Sequence, residues 1–365
     1  MALRTAMENA NIENVKTKDI DEELRRLIES RKSEIKVIGV GGAGGNTISR
    51  IMQIGIVGCE AIAVNTDAQD LLYTDADAKV LIGKEITQGL GAGANPKVGA
   101  ESAKESKEDI KKVLAGADLV FITCGLGGGT GTGAAPVIAD IAKKMGILVV
   151  AVVTLPFTME GRQRMSNAQE GLENLESAVD TLIVVPNDKL LEIVPDVSIT
   201  TAFKVADEIL VNAVKGMAEL VTRPGLVNVD FADVRSVMTS GGLAMIGMGE
   251  SDNENRAIEA VEKALTNPLL DVDVQGATGA LVSVAGGPDI TIRECQEIVE
   301  AVSSRLNPDA KIIWGAQVIK ELGDVVRAML VITGVKSPQI YGPQKKFSME
   351  QRKEIEHILG IEFVK

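Results

Sequence analysis

The segment Gly127-Gly128-Gly129-Thr130-Gly131-Thr132-Gly133 places five glycines and two threonines in seven consecutive positions. It follows the apolar stretch Asp118–Cys124, which reads as a buried strand, and precedes the alanine-rich Ala134–Lys143, which reads as a helix. A flexible linker is not wedged between two such elements. The pattern is that of a phosphate-binding loop. Without Cβ atoms, successive backbone N–H groups can turn toward an anion, the threonine hydroxyls add donors, and the helix start adds partial positive charge.

The rest of the composition narrows the class. At 365 residues with 45% apolar content, the chain is long enough for two domains. Aromatic residues make up only 2%, so Val, Ile, Leu, Ala and Gly must build the interior. A net charge of −13 without a Lys/Arg cluster argues against a nucleic-acid partner. Cys59, Cys124 and Cys295 are odd in number and lack CxxC spacing, as expected of reduced thiols in a soluble, cytoplasmic protein. The longest apolar run, Ile147–Phe157, contains Thr154 and Pro156 and is too short to cross a bilayer, so no direct membrane insertion is expected. The only histidine is His357, in the last ten residues. Histidine triads and histidine-bridged metal sites therefore have no candidate in the body of the chain, and no side-chain metal centre is expected. Chemistry is left to carboxylates, backbone amides and Mg²⁺.

Along the chain, Ile20–Ile28 predicts an accessory helix within residues 1–34. From Ile35 to Asn187, apolar strands (Ile35–Val40, Glu60–Asn65, Ala78–Ile82, Asp118–Cys124, Ile147–Thr154, Thr181–Pro186) alternate with helical segments. Alternation of this kind predicts an α/β fold, a Rossmann-like and mostly parallel sheet with helices on both faces. Most of these strands end in loops rich in Gly, Asn, Asp or Thr, which such a sheet gathers at one rim. A long helix over Thr200–Val221 keeps one apolar face, and Leu226–Val234 reads as a further helix. Strands at Leu243–Gly249, Gly279–Ala285, Lys311–Gly315 and Val325–Thr333, with helices Glu254–Leu265 and Thr291–Leu306, predict a smaller α+β domain. The expected division is 35–199 for nucleotide binding, 200–225 for the central helix and linker, 226–340 for the second domain and 341–365 for a tail.

Gly39-Val-Gly41-Gly-Ala-Gly44 also satisfies the dinucleotide pattern, with Asp67 after the second strand, so an NAD-dependent oxidoreductase is an alternative. The glycine run at 127–133 and the Gly89–Pro96 loop exceed what a dinucleotide needs and fit a triphosphate better. There is no G-x-x-x-x-G-K-[ST], so backbone amides rather than a loop lysine would hold the phosphates.

Taken together, Gly41–Asn46, Gly89–Pro96, Gly127–Gly133, Pro186-Asn-Asp-Lys189 and Asn228-Val-Asp-Phe-Ala-Asp233 resemble, in order, the nucleotide-facing loops of the tubulin/FtsZ family, on its prokaryotic cell-division branch. The resemblance covers roughly 35–335. It implies a GTPase domain, a central helix, a C-terminal activation domain and GTP-dependent head-to-tail filaments at the division site. A tubulin-like GTPase for cell shape is the nearest alternative. The resemblance further implies that Gly41, Gly42, Ala43, Gly44, Gly45 and Asn46, with Gly93, Ala94 and Asn95 and the run Gly127, Gly128, Gly129, Thr130, Gly131, Thr132 and Gly133, cradle the phosphates of GTP or GDP, and that Mg²⁺ arrives through those phosphates. Glu160, Arg164 and Asn187 would meet the ribose and neighbouring groups.

The resemblance also implies base contacts for Phe203 and Asp207, which, four apart on the long helix, share one face, so a ring could stack on the base while the carboxylate meets its edge. Guanine presents N1–H and an N2 amine as adjacent donors; adenine does not, and would leave a buried Asp207 unpaired. Asn228, Asp230 and Asp233 are the catalytic candidates, two carboxylates able to orient water toward a γ-phosphate. The same acids also fit an ordinary helix start. From Asp207 to Val221 a helix rises roughly 20 Å at about 1.5 Å per residue. The acids beyond it are therefore expected to serve the nucleotide of a second molecule, which makes hydrolysis depend on a homopolymer. Division or membrane-adaptor proteins are expected partners, and Ile355–Val364 reads either as an adaptor-binding helix or as a peripheral one.

Overall fold

The computed structural model describes residues 33–189, 199–222, 225–239, 241–266, 274 and 276–335, and only the backbone of several residues at the start of the long helix. The expected accessory helix at 20–28, His357 and the tail from 341 lie outside the described residues.

Ten strands form one sheet in the order β3-β2-β1-β4-β5-β6-β7-β10-β8-β9. They are β1 Ile35–Val40, β2 Cys59–Asn65, β3 Ala78–Leu81, β4 Leu119–Gly125, β5 Leu148–Leu155, β6 Thr181–Pro186, β7 Gly242–Ser251, β8 Gly279–Gly286, β9 Lys311–Val318 and β10 Val326–Thr333. All neighbours pair parallel except β10, which is antiparallel to both β7 and β8. The helices are α1 Gly41–Ile54, α2 Ala68–Tyr73, α3 Lys84–Thr87, α4 Pro96–Glu105, α5 Lys107–Leu114, α6 Thr130–Lys144, α7 Arg162–Ala178, α8 Ile199–Thr222, α9 Phe231–Met238, α10 Arg256–Leu265 and α11 Ile292–Ser303.

Strand periodicity sorts side chains between the two faces. Ile38 and Val40 of β1 join Ile122 and Cys124 of β4 beneath α6 and α7, in a core with Ala134, Ile138, Ala168 and Leu172. Ile35 and Val37 point the other way, into a second core with Ile48 of α1 and Leu210, Val211, Val214 and Met217 of α8. Each of those larger α8 side chains removes enough apolar surface to contribute about 1.5–3 kcal/mol, which explains why the long helix lies along the sheet. A third core under α10 and α11 gathers Val261, Ile298, Val282 and Leu330.

The sheet is continuous because the start of β6 pairs with the start of β7, Thr181 to Ile183 against Gly242 to Ala244. Thr181 reinforces the seam, its hydroxyl donating to the Met238 carbonyl at 2.6 Å.

Three local expectations are corrected. Helix α9 begins at Phe231, not Leu226. The preceding residues are drawn into the edge of the second half, where the Ala316 N–H donates to Val227 O at 3.1 Å and Leu226 N–H donates to Ala316 O at 2.8 Å. The glycine segments at 41–46 and 130–133 are first turns of α1 and α6 rather than loops. Their glycines are there for packing: a Cβ on Gly44 would lie 2.7 Å from the Thr123 carbonyl oxygen, and one on Gly133 1.8 Å from the Pro96 carbonyl oxygen.

Candidate functional site

The carboxyl ends of β1, β4, β5 and β6 open into a cleft of about 270 Å³ whose lining includes Val40, Gly125, Thr154 and Asn187. Two helices start at its floor. A Cβ on Gly41 would approach the backbone nitrogen of Gly131 to 3.0 Å, so the amino ends of α1 and α6 are side by side. Neither end carries a side-chain cap. The starts of α3, α5, α7 and α10 lack one too but do not open on the cleft floor, whereas α2, α4, α9 and α11 are capped by Asp67, Asn95, Asp230 and Thr291. First-turn N–H groups lacking an intrahelical partner are natural ligands for an anion, and the helix dipoles add to the attraction. The helical start of the glycine runs thus retains the donors expected of a loop.

Gly41, Gly42, Ala43, Gly128, Gly129, Thr130 and Gly131 line this floor, and Glu160, Arg164, Asn187 and Asp207 line the walls. The other glycine-rich residues stand behind it. Gly44 packs on Gly39 and Thr123, Gly45 faces Thr74, and Asn46 is exposed. Thr132 accepts a 2.8 Å hydrogen bond from the Gly127 N–H, and Gly133 packs against Pro96. Gly93, Ala94 and Asn95 form the turn into α4; Asn95 caps that helix through the Lys97 N–H at 3.1 Å. This turn touches the phosphate run through Gly129, whose Cβ would lie 2.9 Å from the Asn95 nitrogen.

Thr66 is a residue that motif reading did not single out. Its hydroxyl lies 2.6 Å from that of Thr130, tying the end of β2 to the first turn of α6. The only signal in sequence is a threonine directly after a strand end. Leu126 and Pro156 also line the cleft and carry no motif of their own.

The walls are polar and unequally satisfied. Glu160 pairs with Arg164 at 2.8 Å and also accepts from the Phe157 N–H at 2.8 Å. Asn187 is 5% exposed, and its side-chain oxygen is buried with no hydrogen-bond partner among the described residues. A buried acceptor left open in a cleft fits a ligand that brings an O–H or N–H. Burial pushes the Asp207 carboxyl up to about 6, against the opposing pull of the Arg50 guanidinium. Phe203 occupies the same face of α8 one turn earlier, but its side chain lies outside the described residues.

The three catalytic candidates are elsewhere. Asp230 is exposed and caps α9 by accepting from the Asp233 N–H at 2.8 Å, and Asn228 accepts from the Gly225 N–H at 2.6 Å. None of the three lines the cleft. From Asp207 to the end of α8 at Thr222 the helix rises about 22 Å. An independent contact agrees: the Arg235 guanidinium of α9 donates to the Asp118 carbonyl at 3.5 Å. Asp118 precedes β4, whose opposite end, Gly125, lines the cleft. A seven-residue strand spans roughly 20 Å.

A mostly parallel sheet with two uncapped helix starts facing one cleft, and a half-buried carboxyl group on the wall, defines a nucleotide-binding α/β protein. Residues 34–195 match the family model described as the Tubulin/FtsZ family GTPase domain, and residues 242–336 match the FtsZ family C-terminal domain. The chain belongs to the tubulin/FtsZ family. It is 59% identical to cell division protein FtsZ 1 of Thermococcus kodakarensis, over 96% of this chain and 95% of that one. It is 61% identical to cell division protein FtsZ 1 of Methanocaldococcus jannaschii, over 87% of each. A solved FtsZ dimer from M. jannaschii, empty, superposes with a TM-score of 0.82 at 61% identity, covering 86% of this chain and 92% of that one. These matches lend no support to an NAD-dependent oxidoreductase. Among the described residues, no helix is long and apolar enough to cross a membrane.

Proposed function

We propose that this chain binds and hydrolyses GTP and assembles head to tail into protofilaments that act in the cytoplasm at the division site. In this reading the active site is completed between adjacent subunits, 35–199 binds nucleotide and 226–340 activates hydrolysis. The observation that carries it is the placement of Asn228, Asp230 and Asp233 at the end of the molecule opposite the cleft. Two exposed acids that do not line the cleft of their own chain fit a neighbour's triphosphate. The dimer among the related solved structures supports self-association. Exposed large apolar side chains are available for such contacts: Tyr73 and Leu90 are 80% and 83% exposed, and Leu226, two residues before Asn228, is 72% exposed.

In the cleft, the amino ends of α1 and α6 take the phosphates, the open Asn187 oxygen accepts from the sugar or a neighbouring group, and Asp207 accepts from guanine N1–H and the N2 amine. Glu160 and Arg164 orient the ribose side, and Phe203 supplies a stacking surface for the base. Mg²⁺ bound through the phosphates would offset their charge. Asp230 and Asp233 of the next subunit, with Asn228, then orient and polarise the attacking water.

The test is complementation in trans. Asp230→Ala retains its cleft, and Gly128→Val blocks its own cleft while retaining its acids; each alone should hydrolyse GTP slowly. Mixed, they should recover activity at interfaces where the open cleft of one meets the acids of the other. Mixtures no more active than the sum of their parts would overturn the shared site.

A further inference from the structure

Helix α7 passes behind the cleft and turns one buried amide toward both glycine-rich segments. The Asn167 Nδ2 donates to the Ala94 carbonyl at 3.1 Å and to the Gly127 carbonyl at 3.4 Å. Its Oδ1 accepts from Gln163 Nε2 at 3.1 Å. Two carbonyls on one side and an amide donor on the other fix the orientation of the side chain, because only Nδ2 can donate. Asn167 is 8% exposed and does not line the cleft.

The two carbonyls belong to backbone that needs holding. Ala94 has φ +56°, a left-handed conformation without the freedom of glycine, and Gly127 has φ +101°. A non-glycine residue in that region stores strain that its surroundings must over-determine. The two peptide units flanking Gly127 are both held, its N–H by the Thr132 hydroxyl and its C=O by Asn167. Gly171, one turn further along α7, sits so close to Thr132 that a Cβ there would lie 2.3 Å from its methyl group. One face of α7 is thus pressed against the phosphate run and clipped to the turn before α4.

We infer that Asn167 is a positioning residue for GTP binding: it joins the Ala94 turn to the Gly127 turn and presets both before nucleotide arrives. The inference rests on the reading of the cleft as the nucleotide site. A preset site spends less of the ligand's binding free energy on ordering loops. Losing the clip therefore weakens binding, while turnover at saturation survives once nucleotide has reordered the loops.

Asn167→Asp keeps the shape, removes both donors and sets a carboxylate against two carbonyls; Asn167→Ser keeps one hydroxyl donor and serves if the aspartate variant does not fold. The expected result is a Kd for GDP and a KM for GTP raised roughly tenfold, the size of one or two lost hydrogen bonds, with kcat within about twofold. Amide hydrogen exchange at Gly93 and Asn95 should accelerate while the strands β1 and β4 remain protected. Val261→Ala, a cavity in the distant third core, should lower the melting temperature without moving the Kd. A Kd unchanged in both Asn167 variants, or raised equally by Val261→Ala, overturns the inference. Wild-type protein that binds no GDP sinks the nucleotide reading itself.

Discussion

The Asp230 carboxylate accepts a 2.8 Å hydrogen bond from the backbone N–H of Asp233, so the acid proposed to serve a neighbour's phosphate also starts helix α9 in its own chain. The two roles act on different measurements. Capping contributes to stability, whereas water activation contributes only to turnover, so substitutions can separate them.

Asp230→Ala should bind GTP and assemble while losing turnover by about two orders of magnitude or more, the usual contribution of a positioned general base. It should also lose about 1 kcal/mol of stability with the cap. Asp230→Ser should restore the cap and leave turnover lost. Denaturant midpoints beside phosphate release distinguish the two; turnover restored by serine would assign the acid a purely structural role.

GTP turnover per molecule should rise with protein concentration and approach zero in dilute solution. Phosphate release across a dilution series, paired with sedimentation, measures this. A constant specific rate down to the monomer range contradicts a site shared between subunits.

Affinity for guanine nucleotide should depend on Asp207. Its carboxyl, pushed up to about 6 in the free protein, must be ionised to accept both guanine donors. Binding should therefore strengthen as pH rises through about 6 and level off above it. Asp207→Asn should lose this component while retaining the titration of the phosphates, so the difference between the two proteins isolates it. For the fold the sign is opposite: a carboxyl raised above its unfolded value opposes folding when ionised. The ligand-free protein should gain stability from this group as pH falls from above 6 toward 4.

Glycines of the same run should differ in what they lose. A Cβ on Gly133 would meet the Pro96 carbonyl oxygen at 1.8 Å, so Gly133→Ala must part α6 from α4, destabilising by about 1–3 kcal/mol. A Cβ on Gly128 meets nothing within 4 Å and projects where ligand would lie. Gly128→Ala should keep wild-type stability and bind GDP less tightly. Thermal melts with and without GDP compare the two.

Much of the architecture was legible because strand and helix leave different periods in sequence. The run Ile35–Val40 and the apolar face of the long helix needed no tertiary information. The start of α9 was not legible: Leu226 and Val227 continue an apolar pattern, and only their pairing with Ala316, distant in sequence, makes them extended. The glycine segments announced phosphate binding through composition, yet composition does not separate a loop from the first turn of a helix. Most of their glycines turn out to let backbones touch, at Gly44 with Thr123 and at Gly133 with Pro96. Thr66 and Asn167 escaped notice because a threonine after a strand and an asparagine within a helix acquire meaning only from what lies across from them.

The α8 helix sets a lower limit on how closely nucleotides can follow one another. It rises about 22 Å between Asp207, the residue proposed to read the base, and its own carboxyl end. In a filament where each subunit's acids meet the next cleft, successive guanines can stand no nearer than that rod allows. The axial repeat is then a property of one helix's length, and inserting turns into it should lengthen the spacing between bound nucleotides in step.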